Sequence, residues 1–164
     1  MTPAAAPGPA TSSTVSDPVS GSAAATRVFL DTNVLVDCAD RHDLDRQQLC
    51  RAHLLGLQES GRAVISTQVL QEFYVVATRK LGLRADQAGG FVSDFRRMPI
   101  VTVTPELVEQ AITCHQADRI SFWDALIVVS ASSTGCTVLL TGDLNAGQAI
   151  RGLRVADPTE TGSF

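Results

Sequence analysis

Short apolar runs that alternate with longer stretches of helical spacing place the strongest constraint on how this chain folds. Apolar runs of three or four residues are typical of strands buried on both faces of a sheet. Strands that alternate with helices predict a parallel sheet with helices on both faces. The sequence therefore predicts an α/β fold, a three-layer α/β/α sandwich around a parallel sheet of about five strands. The predicted strands are Val28-Phe29-Leu30, Ala63-Val64-Ile65, Ile100-Val101-Thr102-Val103, Thr137-Val138-Leu139-Leu140 and Leu153-Arg154-Val155.

Helix start signals occupy the intervening stretches. Thr104 is a capping residue, Pro105 suits the first helical position and Glu106 places an acid in the first turn, so a helix should begin there. Ser121 is a second capping residue, and another helix should follow it. Further helices are predicted near residues 34–38, 45–60 and 84–97, and an amphipathic helix is predicted through Val69, Leu70, Phe73, Val76 and Ala77.

The first 26 residues have a composition that cannot form a core. Residues 1–25 are mostly Ala, Pro, Ser and Thr, and Asp17 is the only charged side chain among them. They lack the basic start and the apolar centre of a secretory signal. We therefore expect a disordered extension over residues 1–26, one folded domain over residues 27–158 and a short tail over residues 159–164.

Charge and cysteine usage narrow the class of protein. The 164 residues carry 13 basic and 17 acidic side chains, which excludes a protein that holds nucleic acid by bulk positive charge. The four cysteines form no C-x-x-C pair and lie in apolar segments, which favours buried, reduced thiols in a cytoplasmic protein. No apolar run approaches the ~18 residues of a membrane-spanning helix, so no membrane association is expected.

Four carboxylates occupy positions that converge in a parallel sheet. Asp31 ends the first strand, and Asp143 follows the fourth after a Thr-Gly link. Asp124 lies in the first turn of the helix that precedes this fourth strand, and Glu72 lies at the flank of an apolar helix stripe. Because ligand sites in such folds lie beyond the carboxyl ends of the strands, we expect the four acids to meet at one place.

Each acid also has a purely structural interpretation. Asp31 is a good N-cap for the helix that follows it. Ser121 and Asp124 have the spacing of a capping box, which is the commoner role of such a pair. Glu72 suits an ion pair with a nearby arginine, and Asp143 suits a turn. The helix after Ser121 is apolar nearly all round, however, and a buried carboxylate needs a partner.

Taken together, the four acids predict a metal site. No cluster of lysines or arginines occupies matching positions to neutralise them. Like charges ~4 Å apart repel by about 4 kcal/mol near a protein surface, and a divalent cation removes that repulsion. Ligands that are all oxygen favour Mg²⁺, which keeps several waters and often contacts substrate phosphate. The acids therefore indicate phosphoryl-transfer chemistry.

Each acid lies within a longer recognisable stretch. The stretches are Asp31-Thr32-Asn33-Val34-Leu35, Ser66-Thr67-Gln68-Val69-Leu70-Gln71-Glu72-Phe73-Tyr74, Ser121-Phe122-Trp123-Asp124-Ala125-Leu126-Ile127 and Leu140-Thr141-Gly142-Asp143-Leu144. In this order, they resemble the four signature stretches of PIN-domain ribonucleases, in particular the VapC-type toxins of bacterial toxin-antitoxin pairs. The similarity runs over about residues 27–158.

The resemblance implies a PIN-like α/β/α sandwich that binds Mg²⁺, or alternatively Mn²⁺, and cleaves single-stranded RNA with a metal-activated water. It implies an RNA substrate, a small antitoxin partner and a homodimer, all in the cytoplasm. The catalytic and metal-binding residues that it implies are Asp31, Glu72, Asp124 and Asp143. The supporting polar residues that it implies are Asn33, Ser66 and Thr141.

Two other enzyme classes are excluded by short motifs. A haloacid-dehalogenase-type phosphatase needs a second aspartate where this chain has Asn33, and a dinucleotide-binding fold needs G-x-G-x-x-G after its first strand, where no glycine occurs. Two alternatives to a toxin stay open: an RNA-processing PIN nuclease without an antitoxin, and a non-catalytic PIN-like module that binds RNA or protein. Gly142 stands where many relatives have a charged residue, and this concerns substrate preference more than catalysis.

Overall fold

Six strands and six helices make up the part of the chain that the computed structural model describes, residues 1–2 and 26–160. The expected extension and tail lie largely outside these residues. The strands are β1 (Val28–Leu30), β2 (Ala63–Ser66), β3 (Ile100–Val101), β4 (Val138–Leu140), β5 (Ala149–Ile150) and β6 (Leu153–Ala156). The helices are α1 (Thr32–Ala39), α2 (Leu44–Glu59), α3 (Thr67–Arg79), α4 (Ala85–Phe95), α5 (Pro105–Asp118) and α6 (Phe122–Ser133).

The strands form one sheet in the order β3-β2-β1-β4-β6-β5, and all of them except β5 run parallel. The α/β fold with a central, mostly parallel sheet is therefore confirmed. The prediction of about five strands missed β5, which pairs antiparallel with β6. Arg151 and Gly152 form the two-residue turn between them, with φ angles of 48° and 82°, as tight hairpins require. A strand of two residues is too short to have a recognisable apolar pattern.

The helices begin where the capping residues indicate. Thr104 Oγ1 accepts a hydrogen bond from the main-chain nitrogen of Leu107 over 3.4 Å, and α5 begins at Pro105. α6 begins after Ser121 and is buried from Ala125 to Ala131, which agrees with a helix that is apolar nearly all round.

Two groups of helices cover the sheet. α1 packs against α2 and α3, and α3 packs against α4, whereas α5 packs against α6. The chain moves in one direction across the sheet from β1 to β3, and then returns past β1 to form β4. Right-handed crossovers therefore place α1 to α4 on one face and the α5–α6 pair on the other. The winding reverses between β1 and β4, and at such a point the carboxyl ends of adjacent strands open a crevice.

β1 and β4 form the centre of the core and set the geometry of that crevice. Every residue of both strands is buried. Leu30 is in register with Leu140, so the residues that follow the two strands lie side by side.

All four cysteines are buried and free of disulfide bonds, as the sequence predicts. Burial raises the pKa of the Cys38 thiol to about 12 and that of the Cys50 thiol to about 11, which leaves both protonated and unreactive.

No helix in the described part of the chain combines the length and the apolar character needed to cross a bilayer.

Candidate active site

Asp31 lies in the crevice at the end of β1. Its main-chain nitrogen donates to the Leu140 carbonyl over 3.1 Å, which extends the sheet by one residue. Its Oδ1 accepts from the main-chain nitrogen of Thr32 over 2.6 Å and so caps α1, whereas Oδ2 accepts from Thr141 Oγ1 over 2.7 Å. The residue is only 5% exposed. Both interpretations of Asp31, helix cap and site carboxylate, are compatible because each uses a different oxygen.

The loop after β4 brings Thr141 and Asp143 to the same place. The main-chain nitrogen of Asp143 donates to Thr141 Oγ1 over 3.1 Å, while this hydroxyl donates its own proton to Asp31. Thr141 is buried and Asp143 is exposed. The buried threonine therefore anchors a loop that presents the Asp143 carboxylate to solvent beside Asp31.

The Asn33 side chain connects the two loops. Its Nδ2 lies 3.0 Å from Asp143 Oδ2, 3.2 Å from Thr141 Oγ1 and 3.3 Å from Asp31 Oδ2. Its Oδ1 accepts from the main-chain nitrogen of Gly142 over 3.3 Å. An amide nitrogen has two hydrogens, so the three oxygens share them. Asn33 thus bridges Asp31 and Asp143 without a direct contact between the carboxylates.

Glu72 joins the cluster from α3. Thr32 Oγ1 donates to Glu72 Oε2 over 2.7 Å, which ties the carboxylate to the first turn of α1. Gln68 Nε2 donates to Glu72 Oε1 over 3.1 Å and to the Trp123 carbonyl over 3.2 Å. Glu72 is therefore held between the starts of α1 and α6. It contacts Thr32, the residue that follows Asp31 in the chain.

Two predicted site residues make local contacts instead. Ser121 Oγ donates to Asp124 Oδ2 over 2.7 Å and accepts from the Asp124 main-chain nitrogen over 3.1 Å. Within the described residues, Asp124 forms no hydrogen bond to the other three acids. Ser66 Oγ accepts from the main-chain nitrogen of Val69 over 3.4 Å and caps α3. The structure thus brings three of the four acids together and places Asp124 in its capping arrangement.

Burial raises the pKa of Asp31 to about 6. The hydrogen bonds from Thr141 and Thr32 favour its ionised form, whereas the negative charges of Asp143 and Glu72 oppose it. The cluster therefore holds its carboxylates at an electrostatic cost that a bound cation would relieve.

The donor atoms of the cluster suit a hard divalent cation. They are carboxylate and hydroxyl oxygens, the type of ligand that Mg²⁺ prefers. Beside them, Gln68 Oε1 is buried without a hydrogen-bond partner, and such an acceptor is normally satisfied by water or an ion. Among residues 26–160, no three Asp, Glu, His or Cys side chains lie close enough to hold one ion directly. The described side chains therefore form no complete ligand set for an ion by themselves.

A groove with a volume of about 840 Å³ opens beside the acids. Thr32, Asn33, Glu72 and Asp143 form its acidic end. Its remaining walls include Val36, Val75, Val76, Leu81 and Trp123. Trp123, the largest apolar side chain that lines the groove, is 59% exposed. The groove thus joins a polar end to an apolar wall.

Sequence reasoning missed the two residues that hold Glu72. Gln68 precedes Glu72 by four residues, so the two share a helix face, and this spacing is the signal that points to Gln68. Thr32 lies in a recognised stretch, but its contact with Glu72 depends on how α1 packs against α3, which no local pattern indicates.

Comparison with known proteins identifies the family of the chain. A family model described as the PIN domain matches residues 28–149. No curated protein matches the sequence.

Solved structures share the fold. VapC20 of Mycobacterium tuberculosis, described as a toxin that cleaves the sarcin-ricin loop, is 24% identical, with a TM-score of 0.54 over 68% of this chain and 86% of that chain. DNA-bound VapBC of Salmonella typhimurium is 20% identical, with a TM-score of 0.60 over 81% and 98%. VapBC2 of Rickettsia felis, bound to promoter DNA, is 19% identical, with a TM-score of 0.60 over 80% and 98%.

The matched family region covers well over half of the chain and includes all the acids of the cluster together with Asp124. The three solved structures named above are described as VapC or VapBC proteins. The resemblance is therefore confirmed, and the chain belongs to the PIN-domain family of nucleases.

Proposed function

We propose that this PIN-domain protein is an endoribonuclease that depends on Mg²⁺ and cleaves single-stranded RNA, as the toxin of a VapBC-type pair. The observation that carries the proposal is the convergence of Asp31, Glu72 and Asp143 at the carboxyl ends of β1 and β4. Three acids at one crevice, with a buried aspartate among them, are costly to the fold and suit a nuclease site better than a structural role.

Asp31 and Asp143 are the first-choice metal ligands, with Asp124 as the third and Glu72 as a ligand or a group that orients water. When bound, the ion supplies a polarised water for in-line attack and neutralises charge on the phosphate oxygens. Mn²⁺ has the same ligand preference. Asn33 and Thr141 keep the two aspartates apart and aimed into the crevice through their hydrogen bonds.

The hydrogen bond between Ser121 and Asp124 bears on how Asp124 would bind the ion. Ser121 Oγ engages Asp124 Oδ2, and no hydrogen bond among the described residues uses Asp124 Oδ1, so this oxygen is the one that would face an ion. Ser66 keeps its capping role and supports the site through the start of α3.

RNA is supported as the substrate by a solved relative. VapC20, which shares the fold, is described as cleaving the sarcin-ricin loop. A single strand also suits the exposed Trp123 at the groove entrance, because unpaired bases stack on aromatic side chains.

An antitoxin partner is supported by the VapBC complexes among the structures that share the fold. The groove offers an apolar wall next to three acids, so a partner with an apolar segment and an arginine has a matching surface. A homodimer and a cytoplasmic location complete the proposal, and the four reduced, buried cysteines agree with that location.

The direct test measures cleavage of a labelled single-stranded RNA by purified protein in Mg²⁺, in Mn²⁺ and in EDTA. We expect cleavage with either ion, none in EDTA and a loss of at least 100-fold in Asp31→Asn. Asp86→Asn is the matched control, because Asp86 lies exposed in the first turn of α4 and pairs with Arg84, the residue that precedes the helix. Cleavage that persists in EDTA, or equally in Asp31→Asn, contradicts the proposal.

The toxin assignment has its own test. The protein is expressed alone and together with the product of a small neighbouring reading frame. Growth arrest in the first case and a stable complex in the second are expected. A harmless protein that cleaves RNA but forms no complex is the processing nuclease, whereas RNA binding without cleavage indicates a non-catalytic module.

A further inference from the structure

An arginine from α2 reaches the loop that carries Asp143. A Cβ atom built on Gly142 would lie 3.7 Å from Arg46 Nη2 and 3.9 Å from Asn33 Nδ2. Arg46 is the third residue of α2, so it belongs to a different element from both site loops. Its guanidinium therefore lies at the rim of the acid cluster, next to the residue that separates Thr141 from Asp143.

One nitrogen of the guanidinium is already held in place. Arg46 Nε donates to Asp37 Oδ2 over 2.7 Å, and Asp37 lies on α1. The Asp37 side chain is 15% exposed and the Arg46 side chain is 39% exposed. The partly buried carboxylate thus orients the guanidinium, while the outer part of the guanidinium faces solvent.

The two terminal nitrogens remain free for a ligand. In the described part of the chain, the hydrogen bonds of Arg46 use only Nε and the main-chain nitrogen. Asp157 also lies near enough to influence Arg46, but no hydrogen bond or ion pair joins the two side chains within the described residues. The outer edge of the guanidinium therefore presents two parallel N–H groups beside the crevice.

We infer that Arg46 binds a phosphate group of the RNA strand and thereby positions the neighbouring phosphodiester bond at the acid cluster. The inference rests on the proposed function. Two parallel N–H groups match two phosphate oxygens in a bidentate pair. A strand of phosphates is repelled by Asp31, Glu72 and Asp143, so a cation at the rim gives the strand a point of attachment where it approaches them.

Gly142 makes this placement sterically accessible. A Cβ at 3.7 Å from Nη2 is in ordinary contact, so alanine fits at this position, whereas a larger side chain would occupy the space of the guanidinium. Gly142 is not among the glycines with positive φ, so a side chain there creates no backbone strain. Gly142→Leu therefore crowds Arg46 without removing it or its partner Asp37, but it also crowds Asn33, so Arg46→Gln is the variant that decides the test.

The first experiment measures binding of a fluorescein-labelled 20-nucleotide single-stranded RNA by anisotropy over a series of salt concentrations. All variants carry Asp31→Asn, so that the strand stays intact. We expect Arg46→Gln and Gly142→Leu to bind about tenfold more weakly and to lower the slope of log affinity against log salt by about 0.7, the loss of one phosphate contact with a single strand. Gly142→Ala should bind like the parent.

Arg151→Gln is the matched control. Arg151 Nε donates to Asp118 Oδ2 over 2.6 Å, and the Arg151 side chain is 38% exposed, which nearly repeats the pairing and exposure of Arg46 at the β5–β6 turn. We expect its affinity and salt slope to equal those of the parent. Equal losses in Arg151→Gln and Arg46→Gln would overturn the inference, because net charge alone would then explain them.

The second experiment locates the phosphate. Each phosphate of the oligonucleotide is replaced in turn by a neutral methylphosphonate. At one position, we expect the methylphosphonate to weaken RNA binding by the parent about tenfold and to cause no further loss of affinity in Arg46→Gln. If the loss from the methylphosphonate and the loss from Arg46→Gln multiply at every phosphate position, the inference is overturned. Absence of RNA binding by the parent contradicts the proposed function instead, and unchanged RNA affinity with a lost protein partner assigns Arg46 to that partner.

Discussion

Thr141 donates its hydroxyl proton to Asp31 Oδ2 over 2.7 Å, although the two residues lie 110 positions apart in the chain. The contact exists because β1 and β4 are adjacent parallel strands with Leu30 in register with Leu140. Each residue stands directly beyond a fully buried strand, and Thr141 is itself buried. The most buried acid of the site is therefore positioned by the rigid centre of the sheet.

The stability of the metal-free protein should fall between about pH 4 and pH 7 because of Asp31. The folded pKa of Asp31 is about 6, whereas an unfolded aspartate has a pKa of about 3.9. Below pH 4 the carboxyl is protonated in both states, and as pH rises the unfolded state loses its proton first, which favours unfolding. A shift of ~2 pKa units corresponds to ~3 kcal/mol.

Urea unfolding of wild type and Asp31→Asn in EDTA measures this effect. As pH rises from 4 to 7, the free energy of unfolding of Asp31→Asn should increase by ~3 kcal/mol relative to that of wild type. A difference between the two proteins that stays constant from pH 4 to pH 7 would show that burial of the Asp31 charge carries no such cost.

Mg²⁺ should raise the melting temperature of wild type by several degrees. An ion that binds only the folded state at 100 times its Kd adds about 2.7 kcal/mol. The shift should shrink strongly in Asp143→Asn, since Asp143 is exposed at the crevice and only its Oδ2 accepts a hydrogen bond, from Asn33. Thermal unfolding with and without Mg²⁺ is the measurement.

Asp124→Asn separates the two roles of Asp124 in the same assay. If Asp124 ligates the ion, the rise in melting temperature that Mg²⁺ causes should also be smaller in Asp124→Asn. A full shift in Asp124→Asn together with a small shift in Asp143→Asn would assign Asp124 to helix capping alone, as its hydrogen bonds to Ser121 indicate in the metal-free arrangement.

Asn33→Ala should lower kcat by about 10- to 100-fold, the usual cost of removing a group that orients metal ligands. Asn33 is the side chain that bridges Asp31 and Asp143, so its removal lets their repulsion push them apart. Because Asn33 is only half-buried, the melting temperature should change little. Asn145→Ala, an exposed asparagine on the same loop as Asp143, is the control and should keep full activity.

Trp123 provides an internal probe of the groove. It is the only tryptophan of the chain, and it lines the same groove as Glu72 and Asp143. Single-stranded RNA should quench its fluorescence in the Asp31→Asn protein, because an unpaired base stacks on the exposed ring. An abasic site in the strand should restore part of the emission. Saturating RNA without any change in emission would place the strand away from α6.

The sequence was informative about positions that depend on strand ends and less so about contacts between elements. Asp31 and Asp143 could be predicted because each follows a buried strand, and parallel strands end at one edge. Asp124 was ambiguous, since the Ser121-x-x-Asp124 spacing is that of a capping box, which is the commoner role of such a pair. The structure has Asp124 bonded to Ser121.

The contacts that hold Glu72 and Arg46 could not be predicted. Thr32 reaches Glu72 only because α1 packs against α3, and Arg46 reaches Gly142 only because α2 lies beside the loop after β4. Such distances depend on interhelical packing, to which every side chain in the interface contributes. β5 was missed for a different reason, because its two residues owe their conformation to the Arg151-Gly152 turn.

The adjacency of β1 and β4 has a consequence for biosynthesis. The half of the crevice that contains Asp31 is translated early, but its partner strand begins at Val138. Until that strand has emerged from the ribosome, Asp31 has no Thr141 to donate to it, and β1 lacks the neighbour on that side. A nascent chain therefore passes through most of its synthesis without the assembled acid cluster, because the strand and the hydroxyl that position Asp31 are made last.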